Sequence, residues 1–181
     1  NYFGHFLLTG LLIGQLTKTT ESRIVSLSSI AHKSGKIDFD NLNSEKKYAR
    51  MTAYSQSKLA CLMFSFELQR RLEASKSQTI SVAAHPGVSN TNLSRHIPKW
   101  LELILKPLFM LTIHEPKEAA KPTLLAALGP EVKGGQYFGP KGYREMNGLA
   151  GEAFIAGRAK NEQVAKKLWE ESERLTGNTY L

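Results

Sequence analysis

A chain of 181 residues, 41% apolar and 22% charged, is long enough to bury a core and too apolar to be globally disordered. Its 24 basic and 16 acidic residues give a net charge of +8, but the basic residues are dispersed without interleaved aromatics, which points to a solvated basic surface and to no nucleic-acid partner. One cysteine, Cys61, excludes an internal disulfide and a cysteine-built zinc site and fits a reducing compartment.

Residues 1–16 are mostly apolar, with Phe3, Phe6, Leu7 and Leu11 near helical spacing, and predict a helix sandwiched between layers. They carry no basic n-region and no small-residue cleavage site, so they do not read as a signal peptide. Residues 23–29 (RIVSLSS) predict a short strand of the buried kind. Residues 31–50 are polar and read as an excursion loop. The strongest helical pattern spans 52–74, where Leu59, Leu62, Met63 and Phe66 recur at i, i+3, i+4 and i+7 and Glu67 and Arg71 form an i,i+4 ion pair. Residues 79–85 (TISVAAH) predict a second buried strand, stopped by Pro86-Gly87.

Residues 93–114 form an amphipathic, proline-broken region. Within it, 97–113 comes nearest to a membrane span but carries Lys99, Glu102, Lys106 and Pro107. Residues 116–128 predict a helix with Pro116 as its first residue, and 134–139 (GGQYFG) a third strand. Residues 161–176 predict a last helix, with Asn161 as N-cap and Gly177 as the C-terminal stop. Helices alternating with three strands are the pattern of an α/β parallel sheet. Three is few for such a sheet, which has about five or six strands on average.

The chemistry concentrates in Tyr54-Ser55-Gln56-Ser57-Lys58. Tyr and Lys four apart on a helix share one face, with Cβ atoms roughly 5–6 Å apart. A neighbouring ammonium favours a phenolate, so the pair suits general acid/base work. Alone the pattern is weak, since an exposed Lys beside a half-buried Tyr is common on helices. Ser28-Ser29 ends the first predicted strand and Pro86-Gly87 the second, with Thr91 following. Ligands of open α/β sheets bind beyond the carboxyl ends of strands. Capping serines and a plain turn are the alternatives at those two places. His5, His32, His85, His96 and His114 show no metal-ligand spacing, and Cys61 reads as core.

Residues 1–6 (NYFGHF), 23–29, 54–58 and 85–91 (HPGVSNT) resemble, in order, successive signatures of the short-chain dehydrogenase/reductase family. The wording of RIVSLSSIAHKSGKIDFDNLN, YSQSKLACLMFSFELQRRL and HPGVSNTNLSRH is similar to its retinol dehydrogenase branch. The resemblance implies the C-terminal part of a doubly wound parallel-sheet Rossmann fold. It implies a single domain over 1–181, with a catalytic core at 1–92, a substrate lid at 93–114, and the last strand and C-terminal helices at 115–181. It also implies hydride transfer between NADP (or NAD) and a carbonyl or alcohol substrate of apolar, retinoid-like or lipid-aldehyde-like character. Carried over, Tyr54 is the general acid/base, Lys58 activates it and binds the cofactor ribose, Ser29 polarises the substrate oxygen, and Asn1 holds a water of the proton relay. Pro86, Gly87, Val88 and Thr91 line the nicotinamide and pyrophosphate side.

The Gly-rich turn that cradles the cofactor pyrophosphate at a helix N-terminus does not occur in this sequence. The first residue is Asn rather than Met, and the chain reads as N-terminally truncated relative to the family. Two alternatives follow: a non-catalytic fragment acting as an interaction module, or a membrane-surface module using 97–113. A homo-oligomer is also open to it, through the sheet edge that absent strands would cover. The expected location is cytoplasmic or peripheral to an intracellular membrane.

Overall fold

The computed structural model describes residues 1–88 and 115–181. Thr91, the expected lid at 93–114 and the membrane contact at 97–113 lie outside the described residues.

Helix α1 (Phe3–Leu16) leads to strand β1 (Arg23–Leu27), then to two 3-10 turns at Ile30–Lys33 and Phe39–Asn41, and to the long helix α2 (Arg50–Ala74). Strand β2 (Ile80–Ala84) follows, then α3 (Pro116–Leu128), β3 (Tyr137–Pro140), β4 (Ala150–Glu152) and α4 (Glu162–Thr176). The sheet has the order β1-β2-β3-β4. β1 and β2 run parallel from Arg23↔Ile80 to Leu27↔Ala84, and β3 joins β2 in parallel at Ala83↔Tyr137. The expected α/β architecture, part of a doubly wound parallel sheet, is therefore present. β4 is antiparallel to β3 and raises the expected three strands to four among the described residues. Its three residues, AGE, are too short for any periodicity to announce.

Alternation along β2 builds the layers. Val82 and Ala84 face a small core with Phe138 of β3 and Ala126 of α3. Ala83 points the other way, into the main core with Leu59, Leu62, Met63, Leu68 and Leu72 of α2. Each fully buried aliphatic or aromatic side chain there is worth about 1.5–3 kcal/mol of apolar burial. Polar groups key α2 to β2: Gln69 Oε1 accepts the Ser81 N–H at 2.7 Å, and the Ser65 and Ser81 hydroxyls lie 3.1 Å apart. The expected Glu67–Arg71 pair closes at 3.0 Å, with Arg70 on the other carboxylate oxygen at 2.9 Å.

The two ends of the chain meet. Phe6 is enclosed by Trp169 and Tyr180, with ring centroids at 5.0 and 4.9 Å. Tyr180 Oη donates to the Phe6 carbonyl at 3.0 Å, and the Tyr2 hydroxyl lies 2.8 Å from that of Ser172. α4 is delimited as expected: Asn161 Oδ1 accepts the Val164 N–H, and Gly177 adopts φ 67°.

Two expectations about burial fail. α1 is not sandwiched: Phe6 is its fully buried residue, while Leu8, Leu11 and Leu12 are exposed, because among the described residues only one side of the helix has a partner. β1 is half-buried rather than buried, and Leu27 is exposed, because β1 forms one end of the described sheet. Among the described residues, no helix is long and apolar enough to cross a membrane.

Candidate active site

Parallel pairing of β1 and β2 brings their carboxyl ends to one sheet edge. Ser28 continues the ladder, its N–H donating to the Ala84 carbonyl at 2.9 Å. Ser29 and Pro86-Gly87 therefore leave the sheet side by side, where ligands of open α/β sheets bind.

Helix α2 delivers Tyr54 and Lys58 to that edge. One helical turn apart, they place Lys58 Nζ 5.8 Å from the Tyr54 ring centroid. Lys58 Nζ donates to the Leu27 carbonyl, the last of β1, at 3.1 Å. Ser28, almost fully buried, donates its hydroxyl to the Lys58 carbonyl at 2.8 Å. Strand end and helix are thus joined at both the side chain and the backbone of Lys58. Tyr54 is about one-third exposed (36%), open to a reactant.

Ser29 is half-buried in extended backbone (φ −159°, ψ 161°) and caps the following turn, its Oγ accepting the Ala31 N–H at 3.2 Å. A hydroxyl that accepts from the backbone still has its own proton to donate to a substrate oxygen. Asn1 is exposed, and its carbonyl accepts the Cys61 Sγ–H at 3.3 Å. Asn1 and Tyr54 line one groove of about 660 Å³ with Tyr48, Ala53, Gln56 and Ser57. Ser29 and Lys58 lie outside that groove's lining, so Tyr54 stands between the two sides.

Gly87 adopts φ +74°, the left-handed region that favours glycine. A Cβ there would also lie 2.5 Å from the Met146 carbonyl oxygen. Val88 N–H donates to the same oxygen at 2.9 Å. The structure thus brings Ser29, Tyr54, Lys58, Pro86, Gly87 and Val88 to one edge, with Asn1 across the groove from it.

Sequence reasoning missed two contributors. Ser28 reads as one of two serines at a strand end, with the carried-over role falling on Ser29, yet it ties α2 to β1. A titratable group, the buried His32 and His85 with the half-buried Lys33 and Glu145, underlies the edge. His85 is fully buried, and burial holds its imidazole down at about 4, so it is neutral at neutral pH. Burial likewise lowers the pKa of His32, whose Nδ1 lies 2.7 Å from the Ser29 carbonyl. No short-range spacing signals this group, because Glu145 lies far along the chain from His32 and His85.

No protein-family model matches the chain. It is 44% identical to human Retinol dehydrogenase 14, 43% to human Retinol dehydrogenase 13 and 39% to human Retinol dehydrogenase 11, each over 98% of this chain. Those alignments cover 51% or 52% of the relatives, so the chain spans about half the length of the curated relatives it matches. Among solved structures, it is similar to the crystal structure of an uncharacterised protein from Mycobacterium paratuberculosis. That match has a TM-score of 0.78 and 36% identity, covering 100% of this chain and 58% of that one.

Proposed function

We infer the activity from one premise: the chain is a homologue of retinol dehydrogenases, proteins of the short-chain dehydrogenase/reductase family, and spans about half their length. It carries the proton-transfer and substrate-side half of an NAD(P)-dependent oxidoreductase, and the substrate is an apolar carbonyl or alcohol of the retinoid or lipid-aldehyde class. NADP is the cofactor of choice in this reading.

The observation that carries the proposal is the placement of Lys58 Nζ between the Tyr54 ring and the Leu27 carbonyl, at the carboxyl end of β1. In the reduction direction, Tyr54 Oη donates a proton to the substrate oxygen, and in oxidation it takes one from the alcohol. Lys58 stabilises the negative charge that develops on that oxygen. An ammonium has three N–H donors, so Lys58 can hold the Leu27 carbonyl and still reach ribose hydroxyls. Ser29 Oγ donates to the substrate oxygen and fixes it against Tyr54. Asn1, across the groove, holds the water through which the proton is exchanged with solvent.

The residues at the edge fit a nicotinamide cofactor. Gly87 presents bare backbone, and Pro86, Gly87 and Val88 lie where a planar ring would stack beyond β2. When bound, the nicotinamide supplies or accepts the hydride. A well-placed acid/base contributes roughly 10²–10⁴-fold in rate.

The test is Tyr54→Phe in the full-length protein that contains this chain, assayed with NADPH and retinaldehyde. Turnover falls by about the 10²–10⁴ that an acid/base contributes, and NADPH binding persists. Undiminished turnover would remove Tyr54 from this role.

A further inference from the structure

The turn at Tyr143–Glu145 holds two consecutive non-glycine residues in the left-handed region, Arg144 at φ 49° and Glu145 at φ 59°. Such a conformation persists where its surroundings over-determine it. Here the surroundings are the group of titratable side chains below the candidate active site. Glu145 Oε2 accepts from Lys33 Nζ at 2.6 Å, and the same oxygen lies 3.9 Å from His85 Nε2. Oε1 accepts the Phe154 N–H. The pairing with Lys33 and Phe154 outweighs the partial burial of the carboxyl and lowers its pKa.

Lys33, bonded to Glu145, and His85, in contact with it at 3.9 Å without a hydrogen bond, lead to the two sides of the site. Lys33 ends the 3-10 turn that Ser29 caps, and His32 of that turn is fully buried, with Nε2 accepting the Ala156 N–H at 3.3 Å. His85 immediately precedes Pro86-Gly87, and its Nδ1 accepts the Gly87 N–H at 3.2 Å. In the neutral ring Nε2 then carries the proton, and that N–H is the one facing Glu145. The residue after Glu145 completes the arrangement: the Met146 carbonyl accepts from Val88 and fills the space that a side chain at position 87 would need.

We propose that Glu145 is a positioning residue, clamping the Ser29 segment and the Pro86–Val88 turn to one left-handed turn so that substrate oxygen and cofactor ring are held in register. The proposal rests on the oxidoreductase reading above. The titratable groups around its carboxylate include Lys33 and His85, with His32 and Tyr137 packed behind them. Glu145 acts through these neighbours and touches no reacting atom.

The experiment compares Glu145→Gln, which keeps the shape and removes the charge, with Glu145→Asp, which keeps the charge on a shorter stem. Both are made in the full-length protein. Hydrogen–deuterium exchange rises about tenfold at the His32 amide and at the Val88 amide together in Glu145→Gln, as local opening of both anchored segments requires. The kcat for retinaldehyde reduction falls about 10- to 100-fold, the scale expected of a misplacement near 1 Å, while the KM for NADPH changes less than about threefold. Glu145→Asp recovers part of both effects.

Faster exchange confined to 142–148 would overturn the clamp, and an unchanged kcat would overturn the positioning role even where Tyr54→Phe abolishes turnover. Undiminished turnover in Tyr54→Phe would instead sink the oxidoreductase reading, and the exchange result still decides whether the two segments are coupled. If Glu145→Gln does not fold, Lys33→Met removes the other partner from a partly exposed position and carries the same two readouts.

Discussion

The Ser28 hydroxyl donates to the Lys58 carbonyl across a separation of thirty residues, at 2.8 Å. This bond, with Lys58 Nζ on the Leu27 carbonyl, fixes how far α2 slides along β1. It therefore sets the distance between the Tyr54–Lys58 face and the serine that follows. Ser28→Ala deletes a buried donor and leaves a mid-helix carbonyl that keeps its place in the helical ladder. Stability falls by about 1 kcal/mol, the worth of one such bond, as read by urea denaturation.

Lys58→Met separates chemistry from folding. The Nζ–Leu27 bond is solvent-accessible, so its loss costs about 1 kcal/mol or less. Turnover in the full-length protein falls by roughly 10² or more, because the charge opposite Tyr54 is gone. Steady-state kinetics beside a thermal melt check both halves. A large loss of stability with proportionate loss of activity would assign Lys58 a structural part only.

His85 makes stability depend on pH. Its imidazole titrates near 4 in the folded state and near 6.5 in model compounds. Between these values the unfolded chain binds the extra proton, so unfolding becomes easier as pH falls. The contribution is fully present above about pH 6.5 and is withdrawn by about pH 4, amounting to about 3 kcal/mol. His32 titrates low for the same reason and adds in the same direction. Glu145, whose pKa is also lowered, withdraws its contribution at the acid end of the range. Denaturant midpoints measured across pH 4–7 fall with acidification, and His85→Gln flattens the curve.

Two glycines respond oppositely to alanine. At Gly139 an added Cβ would collide with the fully buried His85 ring, which has no room to yield. Overpacking of this kind costs about 1–3 kcal/mol. At Gly157 a Cβ meets open space without a left-handed backbone, and alanine there changes stability by less than about 1 kcal/mol, in the stabilising direction. Thermal melts of the two variants check the contrast.

The parts of the fold that were legible share one property: their signal is short-range. The helical stripe of Leu59, Leu62, Met63 and Phe66, the Asn161 cap, the Gly177 stop and the Glu67–Arg71 pair are each complete within a few residues, and each stands where the sequence puts it. The meeting of Ser28-Ser29 and Pro86-Gly87 at one edge follows from parallel pairing, and helix α2 adds Tyr54 and Lys58 to it. What escaped depends on distant partners. β4 is a strand because Tyr137–Pro140 offers it an edge, and AGE has no β-propensity of its own. The apolar run of α1 predicted burial on all sides, but burial is decided by what stands opposite, and Leu8, Leu11 and Leu12 face solvent here. Glu145 is an ordinary loop acid by sequence and becomes part of the site only because a left-handed turn aims it at Lys33.

The enclosure of Phe6 by Trp169 and Tyr180 has a consequence in time. The hydrogen bonds that lock α1 in place span 170 and 174 residues. During synthesis, α1 precedes its partners: Phe64 of α2 reaches Tyr2 and Phe6 first, with ring centroids at 6.2 and 5.6 Å, and Trp169 and Tyr180 follow only after the rest of the described core. The rest of the main core, α2 against β1 and β2, can assemble earlier from segments closer in sequence. Full enclosure of Phe6 therefore waits for Trp169 and Tyr180, and contacts of such long range are slow to form. Until then Phe6 is covered only in part, by Phe64, and is open to a chaperone.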